Sequence, residues 1–177
     1  MDDSAESAFR DFATTEAGGL RRFAYLLCGD WHFAEDLTQT TLIKIYRAWP
    51  KLNHAEVVNA YVRKALLRTW LDEKRKPWRA RERRHDTVPD IADAGLDPAN
   101  RTERAWANTV VRRGLLEVPP KQRAVLVLRY FDELSVAETA AVLGCSEGNV
   151  KSQTARGLAA LAKAVDPLGP GKGLKIA

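Results

Sequence analysis

The sequence predicts an all-α protein of two small helical domains joined by a flexible acidic linker, the C-terminal one a helix-turn-helix. Three observations carry this expectation. Apolar residues recur with the 3.6-residue helical period through most of the chain. Residues 135–161, SVAETAAVLGCSEGNVKSQTARGLAAL, read as a helix, a tight turn and a second helix. Between the halves the composition flips, from a basic run at 74–84 to an acidic stretch at 85–104 that carries Pro89, Gly95 and Pro98.

Bulk properties narrow the function classes. A chain of 177 residues with net charge +5 and a pI near 9.4 suits a polyanionic partner. No apolar run reaches the roughly 18 residues of a membrane helix, and no charged-then-apolar leader opens the chain. These features predict a soluble, unexported protein with no membrane partner. Its two cysteines, Cys28 and Cys145, argue against a disulfide framework and agree with a reducing cytoplasm.

Taken in order, residues 2–15 predict a short helix with Phe9 and Phe12 on its buried side. Leu20, Phe23, Ala24 and Leu27 make the next apolar stripe, which ends near Cys28-Gly29-Asp30. Cys28 and His32 supply only half a metal site, and Gly29-Asp30 breaks the helix between them. A small buried hydrophobe is the better reading of Cys28, and no metal or cofactor is expected.

Residues 32–49 predict a longer helix whose apolar arc is Leu37, Thr41, Leu42, Ile45, Tyr46, Ala48 and Trp49. The opposite arc holds Asp36, Gln39, Thr40, Ile43 and Arg47 at helical spacing. Ile43 sits alone among polar neighbours. Periodicity leaves two readings open: an isolated exposed side chain, which is common, or the apolar centre of a polar-rimmed docking site.

Pro50 ends that helix, residues 51–58 read as a loop, and residues 59–76 predict a two-faced helix. Val62, Leu66, Thr69 and Trp70 point to the core. Tyr61, Lys64, Arg68 and Arg75 point outward, and Lys76 continues into the basic run around Pro77-Trp78. Cations interleaved with Tyr61 and Trp78 suit a strand whose bases stack and whose phosphates need neutralising. The competing reading is a solvated basic surface.

The rear half opens with an expected helix at 103–117, built on Val110, Val111 and Leu115. Val118-Pro119-Pro120 stops it. Pro120 then suits the first turn of a helix at 121–130. Ser135 and Glu138 form a capping-box pattern, Gly144 stands where the turn needs a positive φ, and Ser146 caps the second helix. Val150, Thr154, Leu158 and Leu161 make the inner stripe of that helix. Asn149, Ser152, Gln153 and Arg156 make the outer one, a set of amides, a hydroxyl and a guanidinium able to read base edges and phosphates. Residues 166–177, rich in Pro and Gly, read as a mobile tail.

Three stretches together resemble the bacterial sigma-70 family, and within it the two-domain extracytoplasmic-function (ECF) branch. They are AEDLTQTTLIKIYRAW (34–49), AYVRKALLRTWLDEKRK (60–76) and VPPKQRAVLVLRYFDELSVAETAAVLGCSEGNVKSQTARGLAAL (118–161). The resemblance spans about 9–162. It implies region 2 at 1–84, a linker at 85–104, region 4 at 105–165 and a tail at 166–177. It further implies a factor that binds core RNA polymerase and directs promoter recognition and transcription initiation. Asp36, Gln39, Thr40, Ile43 and Arg47 would grip the clamp helices of the largest polymerase subunit. Tyr61, Lys64, Arg68, Arg75 and Lys76 would read and help melt single-stranded minus-ten DNA. Ser146, Asn149, Lys151, Ser152, Gln153 and Arg156 would read the minus-thirty-five duplex. An anti-sigma factor is a family expectation, as is a monomer when free, and the acidic linker could occupy a basic polymerase channel. Arg68, Thr40, Asn149 and Gln153 depart from frequent family choices, so the promoter sequence does not carry over from relatives.

Two other function classes fit the sequence less well. A stand-alone dimeric helix-turn-helix repressor explains 135–161 but leaves 36–47 and 74–84 without a role. A nuclease built on Glu35 and Asp36 fails because adjacent helical residues point about 100° apart, so an enzyme is not expected.

Overall fold

The computed structural model describes residues 3–52, 55–75 and 98–166, with backbone only at 55–57 and 98–107. Among the described residues there are seven α-helices: α1 (Asp3–Cys28), α2 (Trp31–Ala48), α3 (Ala55–Arg75), α4 (Pro98–Glu117), α5 (Pro120–Tyr130), α6 (Val136–Leu143) and α7 (Glu147–Val165). A 3-10 turn, Trp49–Lys51, closes α2. The fold is all-α, as the periodicity predicts. Helices α1, α2 and α3 pack on one another in front; α4, α6 and α5 each pack against α7 behind.

The front core is Leu20, Phe23, Leu27, Leu37, Ile45, Val62, Leu66 and Trp70, all buried. Asp30 fixes the start of α2 by accepting from the Phe33 amide at 2.9 Å, one of the helix-start donors that otherwise lack a partner. The buried Thr38 and Thr41 hydroxyls donate to the carbonyls of Ala34 and Leu37, both at 2.7 Å. Those bonds let polar side chains sit inside an apolar arc without a desolvation penalty.

Four expectations need correction. The two opening stripes lie on one continuous 26-residue helix. Gly18-Gly19 costs helix stability, but packing anchors both ends: Phe9 meets Trp49 edge-on at 5.3 Å and Phe12 lies tilted to it at 5.0 Å between centroids, and Leu20, Phe23, Ala24, Tyr25 and Leu27 enter the core. Tyr46, expected inside, is 42% exposed and covers Phe9 edge-on at 5.0 Å between centroids. Helix α3 starts at Ala55, inside the expected loop. Helix α4 starts at Pro98 rather than 103, so the last part of the expected linker is helical; a proline's fixed φ and missing N–H suit a first helical position. The linker before Pro98, the basic residues from Lys76 to Arg84, and the tail beyond Asp166 lie outside the described residues.

The rear helices also rest on the front ones. Helices α4 and α5 touch α1, and α6 touches α3. Ala124, Val127, Leu128 and Val142 share one apolar cluster with Leu27 and Trp70.

Candidate nucleic-acid interface

The turn between α6 and α7 is built as the residues dictate. Ser135 Oγ accepts from the Glu138 amide at 3.1 Å, and the Glu138 carboxylate accepts from the Ser135 amide at 2.7 Å. The side-chain and then the backbone hydrogen bond from Ser135 hold the Glu138 carboxyl below its ordinary pKa. Gly144 ends α6 in the left-handed region, φ 66°, a conformation that a Cβ disfavours. Ser146 starts α7 by accepting from the Asn149 amide at 3.2 Å. Val150, fully buried against Val125 and Ala140, then sets the rotation of α7 about its axis.

That rotation decides what faces solvent. Ser146, Asn149, Lys151, Ser152 and Arg156 are exposed and Gln153 is half-buried, so all six sequence-predicted residues lie on or beside one accessible stripe. The Gln153 amide donates to Asn149 Oδ1 at 3.4 Å, a long contact that orders the two amides relative to each other. The Thr154 hydroxyl is turned inward onto the Val150 carbonyl at 2.8 Å. A B-form major groove admits one helix and offers donors and acceptors to groups of this chemistry.

On α3, Tyr61, Arg68 and Arg75 are exposed and Lys64 is half-buried, on the side opposite buried Val62, Leu66, Thr69 and Trp70. Arg75 lies 3.8 Å from Asp72, both mostly in water, which leaves the cation available to another anion. Lys76 falls outside the described residues. Trp70 is fully buried, so it serves the core and not base stacking. Lys74 covers its ring at 5.0 Å.

The α2 stripe is a separate face. Asp36, Gln39, Thr40, Ile43 and Arg47 are all exposed, and Ile43 holds 54% of its surface in solvent. Next to them Lys44, which periodicity did not single out, donates to Thr69 Oγ1 at 2.8 Å and ties α2 to α3. Cys28 is half-buried, and desolvation pushes its thiol up to about 12. Among the described residues no group of His, Cys, Asp or Glu could hold a metal ion, and no helix is long and apolar enough to cross a membrane.

Sequence reasoning overlooked Arg63, Arg123 and Asp132. Arg123 is 4% exposed; it lies one turn before Val127 on the inward side of α5, a position at which helical periodicity flags any charge. Arg63 and Asp132 carry no comparable signal, since their pairing joins segments far apart in the chain.

Residues 12–80 match the family model for sigma-70 region 2, and residues 109–161 match that for sigma-70 region 4. An RNA polymerase sigma-E factor of Streptomyces avermitilis is 35% identical over 153 residues, which cover 86% of this chain and 82% of that one. The ECF RNA polymerase sigma factor SigM of Mycobacterium tuberculosis is 30% identical over 88% of this chain and 76% of its own. Among solved structures, the sigma factor RpoE of Bartonella quintana, crystallised with the anti-sigma factor NepR, shares the fold. Its TM-score is 0.70 at 21% identity, over 90% of this chain and 97% of that one. Two family models in the expected order and these relatives place the chain in the extracytoplasmic-function branch of the sigma-70 family.

Proposed function

We propose that this chain is a promoter-recognition subunit of RNA polymerase that acts through binding alone, without catalysis or cofactor. The front half, 1–84, docks on core polymerase and handles opened minus-ten DNA. The linker is 85–104, and the rear half, 105–165, reads the closed minus-thirty-five element. Asp36, Gln39, Thr40, Ile43 and Arg47 meet the clamp helices of the largest subunit. Tyr61, Lys64, Arg68, Arg75 and Lys76 line the single-strand path. Ser146, Asn149, Lys151, Ser152, Gln153 and Arg156 face the duplex.

The observation that carries the reading is one chain bearing two outward stripes of unlike chemistry. The α2 stripe has an apolar centre, Ile43, and a polar rim, as protein interfaces do. The α7 stripe has no apolar centre, only hydrogen-bonding groups and cations, as duplex readers do. A repressor needs the second stripe alone. The setting is the cytoplasm, where the free chain is a monomer. The Bartonella quintana sigma factor, crystallised with the anti-sigma factor NepR, supports an inhibitory protein partner here as well.

Co-elution with purified core polymerase, followed by footprinting, tests the proposal. Stable one-to-one association and protection of two promoter elements only when polymerase is present support it. Symmetric protection of a palindrome by the chain alone overturns it.

A further inference from the structure

We propose that Gln153 selects an adenine in the minus-thirty-five duplex, and that Asn149 governs the choice by fixing which way round the Gln153 amide lies. This rests on the duplex-reading role proposed above for α7.

The two side chains stand one helical turn apart near the start of α7 (Glu147–Val165), the part of a recognition helix that meets base edges. Gln153 donates from Nε2 to Asn149 Oδ1 at 3.4 Å. The backbone below this contact is itself anchored, because the Asn149 amide donates to Ser146 Oγ at 3.2 Å. Gln153 is half-buried, whereas Lys151, Ser152 and Arg156 are exposed. Part of its side-chain freedom is therefore lost before DNA arrives, which lowers the ordering cost of a contact.

A primary amide carries two N–H donors and one carbonyl oxygen, and turning it end over end exchanges its donor and acceptor sides. An unrestrained glutamine offers a base either side. The Asn149 contact removes that choice, since a turned Gln153 would set Oε1 against Asn149 Oδ1, two acceptors with no proton between them. In the observed arrangement Gln153 spends one N–H on Asn149 and keeps the other together with its oxygen. An acceptor and a donor on one amide match adenine, whose N6 amine donates and whose N7 accepts in the major groove. Guanine presents O6 and N7, both acceptors, so the Gln153 oxygen would face O6 without a proton. Asn149 has its oxygen engaged and keeps two N–H donors, which suit a base acceptor or a phosphate oxygen. The pair is thus unequal: Gln153 reads, and Asn149 positions.

Core polymerase loaded with the full-length chain is offered a promoter fragment randomised across the minus-thirty-five element, and the DNA is sequenced before and after binding. Base ratios at each position are compared, so a change in overall affinity drops out. We expect one position at which wild type favours adenine over guanine about tenfold. Gln153→Ala should flatten that position and leave the rest as they were. Asn149→Ala should weaken the same adenine preference about threefold, through the lost hydrogen bond. Asn149→Asp should keep it, because a carboxylate accepts from the Gln153 amide and cannot donate, which also excludes an arrangement with both amides turned. Gln153→Ala with every position unchanged, or a flattened position that favoured another base, overturns the adenine assignment. Asn149→Ala equal to wild type, or Asn149→Asp as weak as Asn149→Ala, overturns the positioning role. If wild type binds promoters with no preference anywhere in the minus-thirty-five element, the duplex-reading role of α7 falls, and this inference with it.

Discussion

Replacing Ile43 by Asp should cut core binding about a hundredfold or more while leaving the free chain folded. Ile43 keeps 54% of its surface in solvent, so about half of the 2 to 3 kcal/mol gained by burying an isoleucine is still open to a partner. The substitution forfeits roughly 1 to 1.5 kcal/mol of that contact. It also places an unpaired carboxylate in a drying interface, at a further cost of about 2 kcal/mol or more. The sum, about 3 kcal/mol, corresponds to a loss of more than a hundredfold in affinity. In the free chain the same position faces water, so thermal stability should change by no more than about 0.5 kcal/mol. Fluorescence anisotropy with labelled chain and purified core polymerase measures the first quantity, and a melt measures the second. Binding within threefold of wild type would refute the docking assignment of α2.

Three further outcomes follow from the geometry. Arg156→Ala removes an exposed cation of the α7 stripe and should lower transcription dependent on the minus-thirty-five element about tenfold, given 1 to 3 kcal/mol per base-reading contact; core binding in the same anisotropy assay should not change. Ser135→Ala should destabilise the chain by about 1 kcal/mol at neutral pH through the lost cap, as read by thermal denaturation. Because the folded Glu138 pKa is depressed, its stabilisation is present above the unfolded carboxylate value and is lost as pH falls through the lower folded one, so the gap between variant and wild type should narrow in acid. The half-buried Cys28 thiol, pushed up to about 12 by desolvation, is only about one part in ten thousand thiolate at pH 8; iodoacetamide should leave it unmodified in the native chain, as peptide mass mapping would show.

Much of this arrangement was legible in the sequence because local rules govern it. A capping Ser with Glu three residues later, Gly144 at a left-handed position and Val150 at the inner register specify the α6–α7 turn with little help from elsewhere. The same holds for α2 and α3, where period alone separates Leu37, Ile45, Val62 and Trp70 from the outward stripes. Sequence reasoning failed where distant packing outweighs local propensity. The opening reads as two stripes, yet helix α1 runs through Gly18-Gly19 as one element because aromatic contacts at one end and the core at the other hold a single axis. Tyr46 reads as core by period, but Phe9 meets only one edge of its ring. Arg63 and Asp132 are sixty-nine positions apart, and nothing local announces their meeting. A pairing of that kind is a property of the folded surface and not of any window along the chain.

Run-off transcription with purified core polymerase on fragments of the source genome tests the central claim most directly. If the chain selects promoters, adding it should create discrete new start sites, each preceded by one shared pair of upstream elements, and Ile43→Asp should abolish them. Core polymerase that starts at the same places with and without the chain would contradict the account.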